Sequence, residues 1–106
     1  MKLKIRSVQV FIIFVCLSIR SIAGTFTVIS NADSGPGSLR DIIQLAAANG
    51  TTSYDTILFN LPGSTVLDKT ITINGSMPLS GKLVIDGTSQ PGSAFGVTDA
   101  RVIINR

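Results

Sequence analysis

The chain reads as all-β with one short helix, and three observations carry that reading. Short β-branched runs recur: Thr25-Phe26-Thr27-Val28-Ile29, Thr56-Ile57-Leu58-Phe59, Thr70-Ile71-Thr72-Ile73, Leu83-Val84-Ile85 and Val102-Ile103-Ile104. The last four each end in a turn former (Asn60, Asn74, Asp86 or Asn105), and two of these are followed by glycine. Only residues 39–48 space their apolar side chains for a helix, with Leu39, Ile42, Ile43 and Ala46 at i, i+3, i+4 and i+7.

Upstream of the first strand, Lys2, Lys4 and Arg6 precede an apolar stretch from Val8 to Ile19, broken only by Gln9 and Ser18. Ser21-Ile22-Ala23 then offers small residues for cleavage after Ala23, the pattern of a secretory signal peptide over residues 1–23. The apolar stretch is short of the roughly 20 residues a membrane-spanning helix needs. Cys16 follows Phe14 and Val15 rather than the small residues of a lipoprotein site. The expectation is a secreted or cell-surface product comprising residues 24–106, with no stable membrane anchor after cleavage. That segment keeps five basic residues against six aspartates, a net charge of −1, and no Cys, His, Trp or Glu. The basic balance thus belongs to the precursor, and no clustered basic face speaks for nucleic-acid binding.

The mature segment begins with the strand at 25–29. Asn31 to Ser38 is irregular, with Pro36 between Gly35 and Gly37. Ser38 is placed to cap the helix, with Asp41 three residues on in the manner of a capping box. Asn49-Gly50 supplies the helix stop. Beyond it, the Asn and Asp caps read as sharp corners that tolerate left-handed backbone. The stretch between Asn74-Gly75 and Leu83 is long for a tight hairpin, so the spacing favours a parallel β-solenoid; a fragment of a β-sandwich is the competing architecture.

Several stretches in order carry a resemblance: residues 33–40 (Asp-Ser-Gly-Pro-Gly-Ser-Leu-Arg), Ile43, Ala48-Asn49, Asp55-Thr56-Ile57 with Phe59, and residues 85–92 (Ile-Asp-Gly-Thr-Ser-Gln-Pro-Gly). Together they resemble the N-terminal region of bacterial right-handed parallel β-helix proteins of the pectate-lyase-like superfamily. Ile42 departs from that pattern, which has a small residue there. The resemblance implies that residues 24–106 are the N-terminal cap and first coils of a right-handed parallel β-helix continuing in a longer protein. It also implies an exported, adhesin-like or polysaccharide-associated role, with any glycan bound by coils downstream. The fold serves enzymes and binding proteins alike. The alternative is therefore the N-terminal fragment of a polysaccharide lyase or glycoside hydrolase with its catalytic residues downstream. A third reading is a module that self-associates through its open C-terminal coil.

The residues themselves offer little chemistry. Without His or Cys in the mature segment, neither a Ser-His-Asp nor a Cys-His nucleophile can form, nor a Cys/His zinc site. The six aspartates do not cluster as a glycosidase pair requires. No loop has calcium-ligand spacing, so no cofactor or metal is expected. The candidate residues are structural. Asp33 and Asp86 are read as turn residues, Ser38 as the helix cap, and Arg40 as a tie between loop and coil through Asp33 or Asp55. Asn49-Gly50-Thr51 and Asn74-Gly75-Ser76 match the glycosylation pattern but are read as turns.

Overall fold

The computed structural model describes residues 22–96 and 99–106, so the expected signal peptide lies outside the described residues up to position 21. The described residues form five strands and one α-helix: β1 (Thr25–Val28), α1 (Leu39–Ala48), β2 (Tyr54–Phe59), β3 (Thr70–Thr72), β4 (Lys82–Ile85) and β5 (Ile103–Asn105). A single 3-10 turn, Gly87–Ser89, follows β4. All five strands expected from the β-branched runs are present, each within two residues of its expected limits.

The strands fall into two sheets, ordered β1-β2-β4 and β3-β5, and every strand pair is parallel. Thr25 lies opposite Thr56 and Thr56 opposite Val84, steps of 31 and 28 residues. Thr70 lies opposite Ile103, a step of 33. From β2 onward, consecutive strands alternate between the sheets, so each pairs with the strand two places away. The segment between β3 and β4, too long for a tight hairpin, is accordingly a passage from one sheet to the other. Parallel neighbours require such crossovers.

The core lies between the inward face of β2 and the apolar stripe of α1. Alternate residues of β2 (Asp55, Ile57 and Phe59) are buried, as the two-residue period of a strand demands. Leu39, Ile42, Ile43 and Ala46 are the buried face of the helix. Val28, Leu61 and Ile71 complete the cluster, with Phe26, Ile73, Met77, Leu83 and Val102 packed around it. Ile42, the departure from the family pattern, takes its place in this core without being excluded from it.

The helix starts where its cap dictates. The Ser38 hydroxyl oxygen accepts from the Asp41 N–H (3.2 Å) and donates to the Gly35 carbonyl (2.7 Å). The Asp41 carboxylate reaches back one residue further than a standard capping box, accepting from the Gly37 N–H (2.9 Å). Gly37 cannot be replaced easily. It sits at φ 77°, and a Cβ there would fall 2.5 Å from Cγ1 of Ile29.

The corners differ from expectation. No residue other than glycine has positive φ among the described residues, so Asn60, Asn74, Asp86 and Asn105 do not turn the chain by left-handed backbone. At Asn74-Gly75 the glycine takes that conformation (φ 78°). At Asp86-Gly87 neither residue does, and side-chain bonding makes the corner: the Asp86 carboxylate accepts from the Thr88 N–H (2.9 Å) and hydroxyl (2.5 Å). A side chain that folds back on its own backbone removes the need for a strained φ.

Phe59 is the largest fully buried side chain. Phe59→Ala is expected to lower unfolding stability by about 3–5 kcal/mol in urea titration. The exposed Leu67→Ser should stay within about 0.5 kcal/mol of the parent.

Candidate functional site

Three groups of polar side chains among the described residues tie together main chain that is distant in sequence. The first joins the loop before α1 to the corner after β3. Arg40 Nη2 donates to Asp33 Oδ1 (2.8 Å) and to the Asn74 carbonyl (3.1 Å). Its Nη1 donates to the Ser76 carbonyl (2.7 Å) and its Nε to the Asp33 carbonyl (3.2 Å). Asp33 Oδ1 also accepts from the Asn74 N–H (3.2 Å). A planar guanidinium suits this work, because it offers several donors in a fixed fork. Of the two partners expected for Arg40, the structure brings Asp33 to it and not Asp55.

Asp55 belongs to a second cluster. Its side chain is buried on the inward face of β2, where an uncompensated carboxylate would be costly. Asp55 Oδ1 accepts from the Gly24 N–H (2.7 Å) and from Asn49 Nδ2 (2.9 Å). Asn49, read from sequence as a helix stop and turn, thus also links the helix end to β2, and its Nδ2 reaches the Ile22 carbonyl as well (2.6 Å).

The third cluster extends the ladder between β2 and β4. The Ile57 carbonyl accepts from the Asp86 N–H (2.9 Å) in the ordinary way. Two residues on, the Phe59 N–H donates to Ser89 Oγ (2.8 Å), whose hydroxyl donates to the Asp86 carbonyl (2.6 Å). Two further on, the Leu61 N–H donates to Gln90 Oε1 (2.7 Å), and Gln90 Nε2 returns a hydrogen bond to the Leu61 carbonyl (3.2 Å). Side chains of the 3-10 turn and the residue after it therefore stand in for the strand that β4 no longer supplies. Buried Lys69 adds its Nζ to the carbonyls of Leu61 and of Pro62, the latter at 3.3 Å. No buried side-chain polar atom among the described residues lacks a partner.

Sequence reasoning missed Gln90, Lys69 and Asn49. Their partners are main-chain groups or a carboxylate up to 29 residues away. The only available signal was the position of Gln90 in the Asp-Gly-Thr-Ser-Gln-Pro-Gly run.

Among the described residues, no three or more His, Cys, Asp or Glu are placed to hold a metal ion. Nor is any helix there long and apolar enough to cross a membrane. A groove of about 380 Å³ runs between residues 63–69 and 91–95, with Lys69 and Arg101 on its walls. Lys69 spends its donors on the Leu61 and Pro62 carbonyls, and Arg101 Nη1 lies 3.5 Å from the Gln90 carbonyl. A second groove of about 410 Å³ lies by Ile73, Gly75, Met77 and Ile104.

Compared with family models, curated proteins and solved structures, the chain matches none of them.

Replacing Gln90 by Leu keeps the volume but leaves the Leu61 N–H without its acceptor. It is expected to cost about 2–4 kcal/mol by urea denaturation. The exposed Ser93→Ala should be neutral within about 0.5 kcal/mol.

Three carboxyls are held below the usual aspartate range. In Asp33 the main cause is the hydrogen bond from Arg40, helped by the Asn74 N–H. In Asp68 it is the Thr65 N–H and hydroxyl, with the Ser64 N–H. In Asp86 it is the Thr88 hydroxyl and N–H. Groups with depressed folded values bind fewer protons folded than unfolded below the ordinary value of 3.8. Stability is therefore complete above that value and is lost as pH falls through the folded values. Urea midpoints should stay level from neutral pH to about pH 5 and decline below it. Asp33→Asn should make the decline shallower.

Proposed function

We propose that residues 24–106 are the capped first coils of an exported right-handed parallel β-solenoid, a non-catalytic segment that starts and stabilises a longer adhesin-like or polysaccharide-associated protein. One observation carries this reading: from β2 onward the strands alternate between two all-parallel sheets, each pairing with the strand two places away at steps of 28 and 33 residues. Stacked coils have that connectivity, and a sandwich built of hairpins does not. The right hand follows from the near-universal hand of parallel crossovers.

In this reading β1 and α1 form the cap. The helix takes the place a strand would occupy in the first coil, and the Arg40 clamp fastens its start to the corner after β3. The opposite end is open. The outer edges of β4 and β5 pair with no strand among the described residues, and Val84, Ile85 and Ile104 are exposed there. A further coil adding to both edges would cover them. Export rests on the charged and apolar pattern of residues 1–23.

The test is the native product, recovered with an antibody to residues 24–106 and examined by intact mass and N-terminal sequencing. The expected species is extracytoplasmic, begins at Gly24 and is much heavier than 11.1 kDa. A cytosolic species beginning at Met1 would contradict export. A secreted chain no heavier than 11.1 kDa would contradict the coil-starting role and make self-assembly through the open edges the leading account.

A further inference from the structure

The chain contains two Asn-Gly pairs, each followed by a hydroxyl residue: Asn49-Gly50-Thr51 and Asn74-Gly75-Ser76. Their local chemistry is alike, and they differ in exposure and in the state of the glycine nitrogen. At Asn49 the side-chain amide is held by its Nδ2 donating to Ile22 and Asp55, and the Gly50 N–H donates to the Ala47 carbonyl (3.3 Å). At Asn74 the side chain and Gly75 are exposed. The Asn74 side chain shares a hydrogen bond with the Asp33 carboxylate, whereas among the described residues nothing hydrogen-bonds to the Gly75 nitrogen. A Cβ on Gly75 would meet no atom within 4 Å, and the corner borders the groove of about 410 Å³, which gives water access.

From this contrast we infer that Asn74-Gly75 is a site of spontaneous deamidation built into the Arg40 clamp, while Asn49-Gly50 is shielded. The Gly75 nitrogen gives up its proton and attacks Cγ of Asn74. The new N–Cγ bond closes a succinimide as the Cγ–Nδ2 bond breaks, and Nδ2 leaves as ammonia with the transferred proton. Water then opens the ring at either carbonyl, giving aspartate or isoaspartate. No cofactor or oxidant is needed, and glycine favours the attack because no side chain crowds its nitrogen. Hydroxide speeds the first step by taking the proton.

The position gives the reaction a consequence. Asn74 is held at both main-chain groups, its N–H by Asp33 and its carbonyl by Arg40. Opening of the ring at that carbonyl makes isoaspartate, turns the oxygen now facing Arg40 into part of a free carboxylate, and adds a methylene to the main-chain path. A neutral contact of the clamp becomes an ion pair on a lengthened corner.

The test is peptide mapping of the purified full chain after incubation at mildly alkaline pH, following the amide-to-acid mass gain at both asparagines. In the folded chain Asn74 should convert at least roughly tenfold faster than Asn49, the ratio that local shielding of Asn49 implies. In concentrated urea the two rates should converge. Equal rates in the folded chain, or conversion of neither while both convert in urea, would overturn the inference. A rate ratio unchanged by urea would overturn it too, because the difference would then lie in the sequence and not in the fold.

Discussion

A strand that runs past its partner inside a protein leaves amide and carbonyl groups with no one to bond, and the end of β2 faces that problem. β4 pairs with β2 only as far as Ile57 opposite Ile85, yet Phe59 and Leu61 are both almost wholly buried. Each unpaired buried main-chain group would cost about 1–3 kcal/mol. The turn after β4 removes that cost with Ser89 and Gln90, whose side chains meet the Phe59 and Leu61 amides at the two-residue step of a regular ladder. The interaction fixes the exit path of β4, because Gln90 can reach Leu61 only if Asp86 first turns the chain into the 3-10 segment. The core position of Leu61, and through it the contact between β2 and the second sheet, follows from that turn.

The same economy recurs elsewhere. Residues 24–106 contain no cysteine and have little core to rely on. The buried polar residues Ser38, Asp55, Lys69 and Gln90 are each committed to main chain or to one another's neighbours. Arg40 and Asp33 join a loop and a strand corner that lie more than 30 residues apart. These ties act where apolar packing is thin, at the start of the helix and at the corners, and each fixes backbone geometry more than it adds buried area. The polar side chains of the described residues are thus spent on holding strands, corners and the helix start in place.

Much of this was legible in the residues. The helix limits followed from Ser38, the 3.6-residue stripe and Asn49-Gly50, and the strands from β-branched runs between turn formers. Arg40 was identifiable as a tie, although composition left Asp33 and Asp55 as equal candidates. What separated them was three-dimensional: the inward face of β2 commits Asp55 to Gly24 and Asn49. The corners were misjudged because Asn and Asp offer two ways to turn a chain, and side-chain hydrogen bonding prevailed over left-handed backbone. Gln90 and Lys69 were beyond reach because their partners are peptide groups, which every residue possesses and no sequence distinguishes.

The side-chain ladder is open to direct measurement by native-state amide hydrogen exchange, resolved residue by residue. The amides of Phe59 and Leu61 lie past the last residue of β2 that pairs with β4. If Ser89 and Gln90 continue the ladder, both should be protected to the same degree as Thr56, which sits within the regular parallel pairing. Exchange of Phe59 and Leu61 at the rate of an unstructured loop, with Thr56 still protected, would contradict the account. It would mean that the ladder between β2 and β4 ends at Ile57 and that the turn after β4 does not hold the end of β2.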